Sequence, residues 1–148
     1  MATQQRGPDP FRAFNFIVEI NGVPRGGFSE VSGLTADGDA VDYREGTDGA
    51  GGVRKLPGLR KNGTITLKRG MTTDKTLWQL YAKVLNGDAD IRRTVTVILL
   101  NERREAALTW VAENAWVNKI EGPALKANGN EVAMESVEFV HEGLTLEA

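Results

Sequence analysis

The stretch "TITLKRGMTTDKTLWQLYAKVLNG", residues 64–87, combines two different hydrophobic periods. Its first part alternates, with Ile65 and Leu67 on one face, as expected of a half-buried strand. Its second part has apolar residues at helical spacing, which predicts one amphipathic helix over about 73–86. A strand followed by the clearest helix of the sequence therefore gives the first indication of a mixed, strand-rich fold.

The predicted helix has an apolar stripe that is typical of packing against a sheet. The stripe consists of Leu77, Leu80, Tyr81 and Val84, widened by Trp78 and Leu85. Thr73 or Asp74 can cap the start of this helix. Asn86-Gly87 can end it, because glycine tolerates the left-handed backbone conformation.

The segments on either side read mainly as strands. Residues 13–20 alternate, with Phe14, Phe16, Val18 and Ile20 on one face. Asn21-Gly22 is a hairpin-turn signal, so residues 23–33 are expected to return as a short, broken strand, at an edge because of Pro24. Residues 34–46 form a weaker candidate. Beyond the helix, strands are predicted in residues 92–101, 105–113, 115–123 and, after a turn at 128–130, 130–148.

Several short strands with one helix predict a mainly β fold, a sandwich or barrel. We expect one domain over residues 1–148, in which residues 1–10 form a flexible N-terminal arm. The stretch "EGTDGAGGVRKLPGLRKNG", residues 45–63, is glycine-rich and lies between two predicted strands. Loops of that length inside a compact domain are usually functional or disordered, so this stretch is the first candidate for a functional segment.

Composition excludes several classes of function. The chain has 148 residues, 41% of them hydrophobic, and a net charge of -2 with no cysteine. That charge gives no global reason to expect binding to nucleic acid or anionic membranes. The absence of cysteine excludes disulfides, thiol nucleophiles and thiolate metal sites. No segment approaches the ~20 apolar residues of a membrane span, and the polar N-terminus is unlike a signal peptide.

The sequence also offers little catalytic chemistry. Its one histidine, His141, shares a face with Val137 and Phe139 in a predicted strand, where a structural role is the more common one. The glycine-rich stretch lacks both G-x-G-x-x-G and G-K-[ST], so it does not predict a phosphate loop. Basic and aromatic residues are not interleaved as RNA binding on a sheet would need. We predict no enzyme activity, no cofactor and no metal site.

Charge is unevenly distributed along the chain. Residues 30–48 are rich in acids, residues 54–69 carry only basic charges, and the C-terminal strand region carries five glutamates. These glutamates are Glu131, Glu135, Glu138, Glu142 and Glu147. One interpretation is solvated strand faces. The other is self-complementarity, in which an acidic edge and a basic arm favour head-to-tail contact between copies, which closes into a ring or grows as a filament.

An ordered series of short motifs resembles the tube proteins of contractile tails. The series begins with "DP" at 9–10 before a strand, followed by "FSEVSGL" (28–34), "YREG" (43–46), "LPGL" (56–59), "TLKRG" (66–70) and a helix containing "LW". The resemblance covers about residues 9–142 and is densest over 9–80. The family includes myophage tail tubes and the inner tubes of phage-derived extracellular contractile injection systems.

The resemblance implies two packed antiparallel sheets in a barrel-like sandwich with one flanking helix. It also implies hexameric rings that stack into a hollow tube, a sheath around that tube, and baseplate or tube-initiator and cap proteins at its ends. DNA or protein cargo would pass through the lumen when the tube is driven through a target envelope. Assembly would take place in the bacterial cytoplasm, and the product would be a virion tail or an injection particle, released outside the cell in some systems.

By the same resemblance, residues 43–62 form an extended arm or hairpin that reaches a neighbouring subunit or the next ring. Glycines would allow its bends, and its basic residues would pair with acids of the neighbour. With the N-terminal arm, the expected interface residues are Asp9, Pro10, Phe11, Tyr43, Arg44, Glu45, Gly49, Gly51, Gly52, Arg54, Lys55, Leu56, Pro57, Leu59, Arg60 and Lys61. Residues 71–73 are a weaker candidate.

Two alternatives remain open from the sequence. The first is a related ring-forming protein, either a tube initiator or terminator or the secreted ring protein of a type VI system. The second is a small-ligand module, which would need a pocket with convergent polar groups.

Overall fold

The computed structural model describes residues 15–24, 27–44, 46 and 52–147. Within these residues lie nine strands and one helix. They are β1 (Phe16–Ile20), β2 (Glu30–Ser32), β3 (Ala36–Tyr43), β4 (Arg54–Asn62), β5 (Thr64–Gly70), α1 (Thr76–Leu85), β6 (Arg93–Leu100), β7 (Ala106–Glu121), β8 (Met134–Val140) and β9 (Gly143–Glu147). The predicted mainly β fold with antiparallel sheets and one helix is confirmed.

The main sheet has seven strands in the order β1-β6-β7-β8-β5-β2, and β9 also pairs with β7. Strand β7 is the link between its two halves. Residues 106–115 of β7 pair with β6, and residues 109–113 also pair with β9. Residues 116–121 pair with β8 instead. The sheet therefore divides into two layers that share one strand.

Both layers contribute to one hydrophobic core. Ile65 and Leu67 of β5 and Phe139 of β8 come from one layer, and Val18 of β1 and Val95 of β6 come from the other. Alternation along each strand directs these side chains inward. Each fully buried side chain of this kind contributes about 1.5–3 kcal/mol to the free energy of unfolding, so this core provides the main stabilisation of the fold.

The two layers form an open sandwich rather than a closed barrel. Strands β1 and β2 lie at opposite ends of the strand order, and neither pairs with the other. Strand β2 has only three residues, which is too short a ladder to close a sheet. The barrel-like expectation is thus corrected to an open sandwich, in which β1, β2 and β9 are edge strands among the described residues.

The predicted hairpin at Asn21-Gly22 is wrong, although the turn itself exists. Gly22 has φ +79°, and the N–H of Val23 donates to the Ile20 carbonyl at 3.0 Å. Strand β1, however, pairs with β6, while β2 pairs with β5. Val-rich β6 offers β1 a full five-residue ladder, which the short segment after the turn cannot.

The two strands predicted in residues 105–123 are one continuous strand. Strand β7 runs through the polar residues between them, and Asn114 takes the left-handed conformation with φ +52°. Asn114 Nδ2 also donates to Glu142 Oε2 at 3.0 Å. A local bend was therefore mistaken for a turn, because polar residues are common at both.

Helix α1 confirms the predicted amphipathic helix, but it begins three residues later than predicted. It begins at Thr76, and Asp74 Oδ1 accepts a hydrogen bond from the Thr76 backbone N–H at 3.0 Å. Gly87 follows its end with φ +73°, as expected. Leu77 and Leu80 are buried in the core, whereas Leu85 is 70% exposed, so the apolar stripe is narrower than predicted.

Candidate subunit interface

Strands β3 and β4 form a two-stranded sheet of their own. They pair with each other from Ala36↔Asn62 to Tyr43↔Arg54 and with no other described strand. The predicted arm over 43–62 thus contains one strand of a hairpin that begins at residue 36, β4 (Arg54–Asn62). An isolated two-stranded hairpin is at best marginally stable in water, so a covering surface would stabilise it.

Two close backbone contacts fix the base of this hairpin, where the chain passes between the sandwich and strands β3 and β4. Gly33 has φ +87°, and a Cβ atom there would lie 1.9 Å from the Thr64 carbonyl oxygen. A Cβ atom at Gly63 would lie 2.3 Å from Thr35 Oγ1. Only glycine allows the two chain segments to approach this closely. The sequence therefore sets the direction in which the hairpin leaves the body.

A bulge interrupts the hairpin between Gly38 and Ala40. Gly38 pairs with Arg60 and Ala40 pairs with Pro57, so two residues of β4 oppose one of β3. A Cβ atom at Gly58 would lie 2.7 Å from the Asp39 carbonyl oxygen. Bulges increase the local twist of a hairpin, and this one leaves the neighbouring Leu59 side chain 81% exposed.

One face of the hairpin carries three exposed apolar side chains beside Arg54. Val41 and Leu56 are a cross-strand pair, and Tyr43 lies two residues along β3 on the same face. Val41 is 50% exposed, and the other two are also exposed. Contiguous apolar side chains on a surface typically mark an interaction site. The arrangement is suited to contact with another surface and offers no chemistry for catalysis.

Charged side chains pair across the same hairpin. Lys55 Nζ contacts Asp42 Oδ1, and Lys61 Nζ lies 3.3 Å from Asp39 Oδ1. The acidic and basic runs of the sequence are thus neighbours within one molecule. Pairing of the basic arm with acids of a second copy stays a prediction. Exposed pairs of this kind contribute little to stability.

The structure brings together half of the residues predicted for the interface. These are Tyr43, Arg54, Lys55, Leu56, Pro57, Leu59, Arg60 and Lys61, all on the hairpin, and Arg44 and Gly52 adjoin it. Others lie outside the described residues: Asp9, Pro10, Phe11, Glu45, Gly49 and Gly51. Sequence reasoning missed Val41 and Gly58. Their signal was weak, because β3 has little hydrophobic alternation and Gly58 is one glycine among many.

Two charged residues assigned to solvated or basic surfaces are buried instead. Arg69 of β5 and Glu135 of β8 are cross-strand partners, with 2.5 Å between Arg69 Nε and Glu135 Oε1. Trp78 Nε1 donates to Glu135 Oε2 at 3.0 Å, and Arg69 Nη1 donates to Asp74 Oδ2 at 3.3 Å. The cluster ties α1 to both strands. Hydrogen bonds from the Thr76 hydroxyl and backbone N–H lower the pKa of Asp74.

No catalytic or metal-binding arrangement appears in the part of the chain that the structure describes. No group of three histidine, aspartate or glutamate side chains there could hold a metal ion. His141 is buried, and burial lowers its pKa. Among the described residues, no helix is long and apolar enough to span a membrane.

The fold first defines the class: a small antiparallel β-sandwich with one flanking helix and a separate hairpin. The family model of the T4-like virus tail tube protein gp19 matches residues 12–145. The chain therefore belongs to the tail tube protein family, a family of structural proteins. No curated protein sequence matches the chain.

Solved structures of contractile injection systems contain similar chains. A chain in the extended sheath–tube complex of the extracellular contractile injection system PVC is 27% identical, with a TM-score of 0.78 and coverage of 94% of this chain and 92% of that one. A chain in the tube-terminating cap of the anti-feeding prophage AFP is 25% identical, with a TM-score of 0.82 and coverage of 98% and 95%. Hcp1 from Flavobacterium johnsoniae shares the fold, at 13% identity, a TM-score of 0.59 and coverage of 90% and 94%.

Proposed function

We propose that this protein is the structural subunit of the inner tube of a contractile tail or injection system. Residues 1–148 form a single domain. Six copies of the chain form a ring, and rings stack into a hollow conduit for DNA or protein cargo. A sheath surrounds the conduit, with baseplate or initiator proteins at one end and a cap at the other. Membership of the tail tube family and the likeness to a sheath–tube complex support this proposal.

One observation carries the proposal: the hairpin formed by β3 and β4 has an uncovered apolar face. Val41, Tyr43 and Leu56 are exposed to solvent in a single copy. Such a hairpin gains stability when a neighbouring subunit covers it. The interface therefore includes the predicted residues of the hairpin, and we extend it to Val41. The contributions of Asp9–Phe11 and of Glu45, Gly49 and Gly51 remain proposals on sequence grounds.

A cap or terminator ring is the second candidate, favoured by a specific observation. Two of the similar chains come from the AFP tube-terminating cap and from the PVC sheath/tube terminator in its extended state, the latter at 26% identity with a TM-score of 0.80. A cap would form single rings that do not stack. A tube subunit would form stacks of increasing length.

Negative-stain electron microscopy across a protein concentration series tests both candidates. We expect hollow particles of uniform width that lengthen as concentration rises, which fits the tube. Single rings at every concentration would favour the cap, and monomers at every concentration would contradict both.

The matched variants use the two faces of the hairpin. Val41→Asp with Leu56→Asp places charges on the apolar face, and we expect loss of assembly with an unchanged fold, because both side chains are already about half exposed. Asp42→Lys with Lys55→Asp reverses an ion pair on the opposite face and serves as the control. Particles from the first variant would show that the apolar face is not an interface.

A further inference from the structure

Four asparagines of the chain are followed directly by glycine. They are found in the pairs Asn21-Gly22, Asn62-Gly63, Asn86-Gly87 and Asn128-Gly129. Asparagine is a thermolabile residue, and a following glycine has no side chain to hinder attack by its own backbone nitrogen on the asparagine side chain. All four asparagines are exposed. Exposure therefore does not distinguish the four pairs, and the difference between them lies in the backbone around each one.

In two of the pairs a backbone hydrogen bond holds the nitrogen that would attack. The N–H of Gly87, just after the end of α1, donates to the Val84 carbonyl at 3.2 Å. The N–H of Gly129 donates to the Lys126 carbonyl, also at 3.2 Å. Each bond must open before the nitrogen can lose its proton and approach the asparagine side chain. These bonds therefore slow the reaction at both pairs.

The pair Asn62-Gly63 lies at the crowded base of the β3–β4 hairpin. Asn62 is the last residue of β4 and is paired with Ala36. A Cβ atom at Gly63 would lie 2.3 Å from Thr35 Oγ1, so the chain has little room to rotate there. Cyclisation rotates the backbone between the asparagine and the glycine. At this position that rotation would break the end of the ladder between β3 and β4.

The pair Asn21-Gly22 has neither restraint. It lies in the exposed turn after β1, where Gly22 has φ +79°. Among the described residues, the N–H of Gly22 has no hydrogen-bond acceptor. The Val23 N–H donates to the Ile20 carbonyl at 3.0 Å, and the Asn21 N–H donates to the Thr94 carbonyl at 3.3 Å. Neither of these bonds uses the nitrogen that would attack.

A cation also lies beside Gly22. Arg93 Nε is 3.3 Å from the position that a Cβ atom of Gly22 would occupy. The hydrogen bonds of this guanidinium to Asp90 and to the Arg92 carbonyl all come from Nη1. A nearby positive charge favours the deprotonated form of a neighbouring group, and the deprotonated amide nitrogen is the form that attacks. Arg93 therefore favours reaction at this turn.

We propose that Asn21 is the residue of this chain that deamidates first in the folded protein. The Gly22 nitrogen bonds to Asn21 Cγ, the bond from Cγ to the side-chain nitrogen breaks, and that nitrogen leaves as ammonia with the proton from the backbone amide. Water then opens the cyclic imide at either carbonyl and gives aspartate or isoaspartate. Both products place a new carboxylate in the turn beside Arg93, and isoaspartate also routes the main chain through the former side chain.

Trypsin separates the four pairs into different peptides, which cover residues 13–25, 62–68, 84–92 and 127–148. Dilute wild-type protein, in which light scattering detects no particles, is incubated in mildly alkaline buffer and digested at intervals. Mass spectrometry measures the deamidated fraction of each peptide. We expect Asn21 to react about two- to tenfold faster than Asn86 and Asn128, the range that corresponds to one hydrogen bond, and faster than Asn62. Buried Asn15 shares the peptide of Asn21 and serves as the internal control.

The same incubation in concentrated urea separates the effect of the fold from that of the local sequence. We expect the four rates to converge, because the unfolded chain has neither the hydrogen bonds nor the crowding. An equal or faster reaction at any of the other three pairs in the folded protein would overturn the proposal. A lead of Asn21 that persists unchanged in urea would overturn its assignment to the fold.

Two variants test the role of the cation. Arg93→Gln removes the positive charge, and Arg93→Lys retains it; thermal unfolding checks that both are folded. We expect Arg93→Gln to slow deamidation at Asn21 by about two- to fivefold without changing the other three peptides, and Arg93→Lys to react at nearly the wild-type rate. Equal rates in all three proteins, or a faster reaction in Arg93→Gln, would overturn the role of Arg93.

Discussion

Arg69 and Glu135 form a buried ion pair, although each lies in a stretch of the sequence that suggests an exposed charged surface. Each lies in a run of like charges along the chain, yet the strand register places them opposite each other and nearly sealed from water, with Glu135 2% exposed. The partners are 66 positions apart. A pairing at that separation follows from sheet topology, which local alternation does not specify.

Replacing Glu135 by Gln tests the importance of this pair. We expect the free energy of unfolding to fall by about 3–5 kcal/mol, because a buried guanidinium loses the closer and more deeply buried of its two carboxylate partners. Urea unfolding measures the change, in the Val41→Asp/Leu56→Asp background so that assembly does not contribute. The matched control is Glu138→Gln, on the other face of β8, which should change stability by about 0.5 kcal/mol or less. Equal effects of the two substitutions would contradict the assignment.

His141 predicts a dependence of stability on pH. Burial lowers the pKa of His141 below its ordinary 6.5, and the peptide group of Gly143 acts in the opposite direction. The unfolded chain therefore binds the proton more tightly than the folded one. Stability should be fully present above pH 6.5 and decline as the pH falls towards the lowered pKa.

His141→Phe removes the titrating group and retains an apolar ring. Thermal unfolding between pH 7.5 and the lowered pKa should show a smaller loss of stability in this variant than in the wild type. Parallel pH profiles for the two proteins would show that other groups cause the decline.

At the scale of elements, the apolar stripe of helix α1 contains both buried and exposed residues, which should differ in their effect on stability. Leu77 is fully buried, whereas Leu85, on the predicted edge of the same stripe, is mostly exposed. We expect Leu77→Ala to lower the free energy of unfolding by about 2–5 kcal/mol and Leu85→Ala by about 0.5 kcal/mol or less. Chemical denaturation of both variants measures the difference. A large effect of Leu85→Ala on the monomer would mean that the stripe is as wide as the sequence suggested.

The elements that could be predicted are those with a strong local period. Helix α1 and strands β5, β6 and β8 follow from 3.6- and 2-residue patterns. Strand β4 did not follow, because Gly58 and Pro57 are poor strand formers and only the pairing with β3 holds them in register. The continuity of β7 through Asn114 was missed for a related reason: a bend and a turn have the same polar composition.

The series of motifs that resembles tail tubes located most of the candidate interface from sequence, and the glycine-rich stretch 45–63 pointed to the same segment. That series marked the return strand of the hairpin, including Leu56 and Leu59. Strand β3 could not be predicted as a contact surface, because Val41 is a single apolar residue among acids. The pairing of Lys55 with Asp42 required the hairpin register, which depends on the bulge at Gly58.

For the whole molecule, the salt dependence of assembly distinguishes apolar from ionic contact. Lys55 and Lys61 of the hairpin already pair with acids of the same copy, while Val41, Leu56 and Leu59 are exposed. We expect assembled particles to persist when the salt concentration rises to 1 M, where the Debye length falls to about 3 Å. Light scattering during a salt titration measures this. Dissolution of the particles at high salt would indicate that head-to-tail charge pairing is the main contact between copies.

The separation of the β3–β4 hairpin from the sandwich has a consequence for how such proteins can diverge. Residues that hold the core together lie in the seven-stranded sheet and the helix, while the exposed hairpin pairs only with itself in the described sheets. Under the proposed assembly, mutations there alter recognition between copies at little risk to folding. A lineage of these proteins can therefore change which subunits it accepts, and keep its assemblies distinct from those of a relative in the same cell, without first having to rebuild its interior.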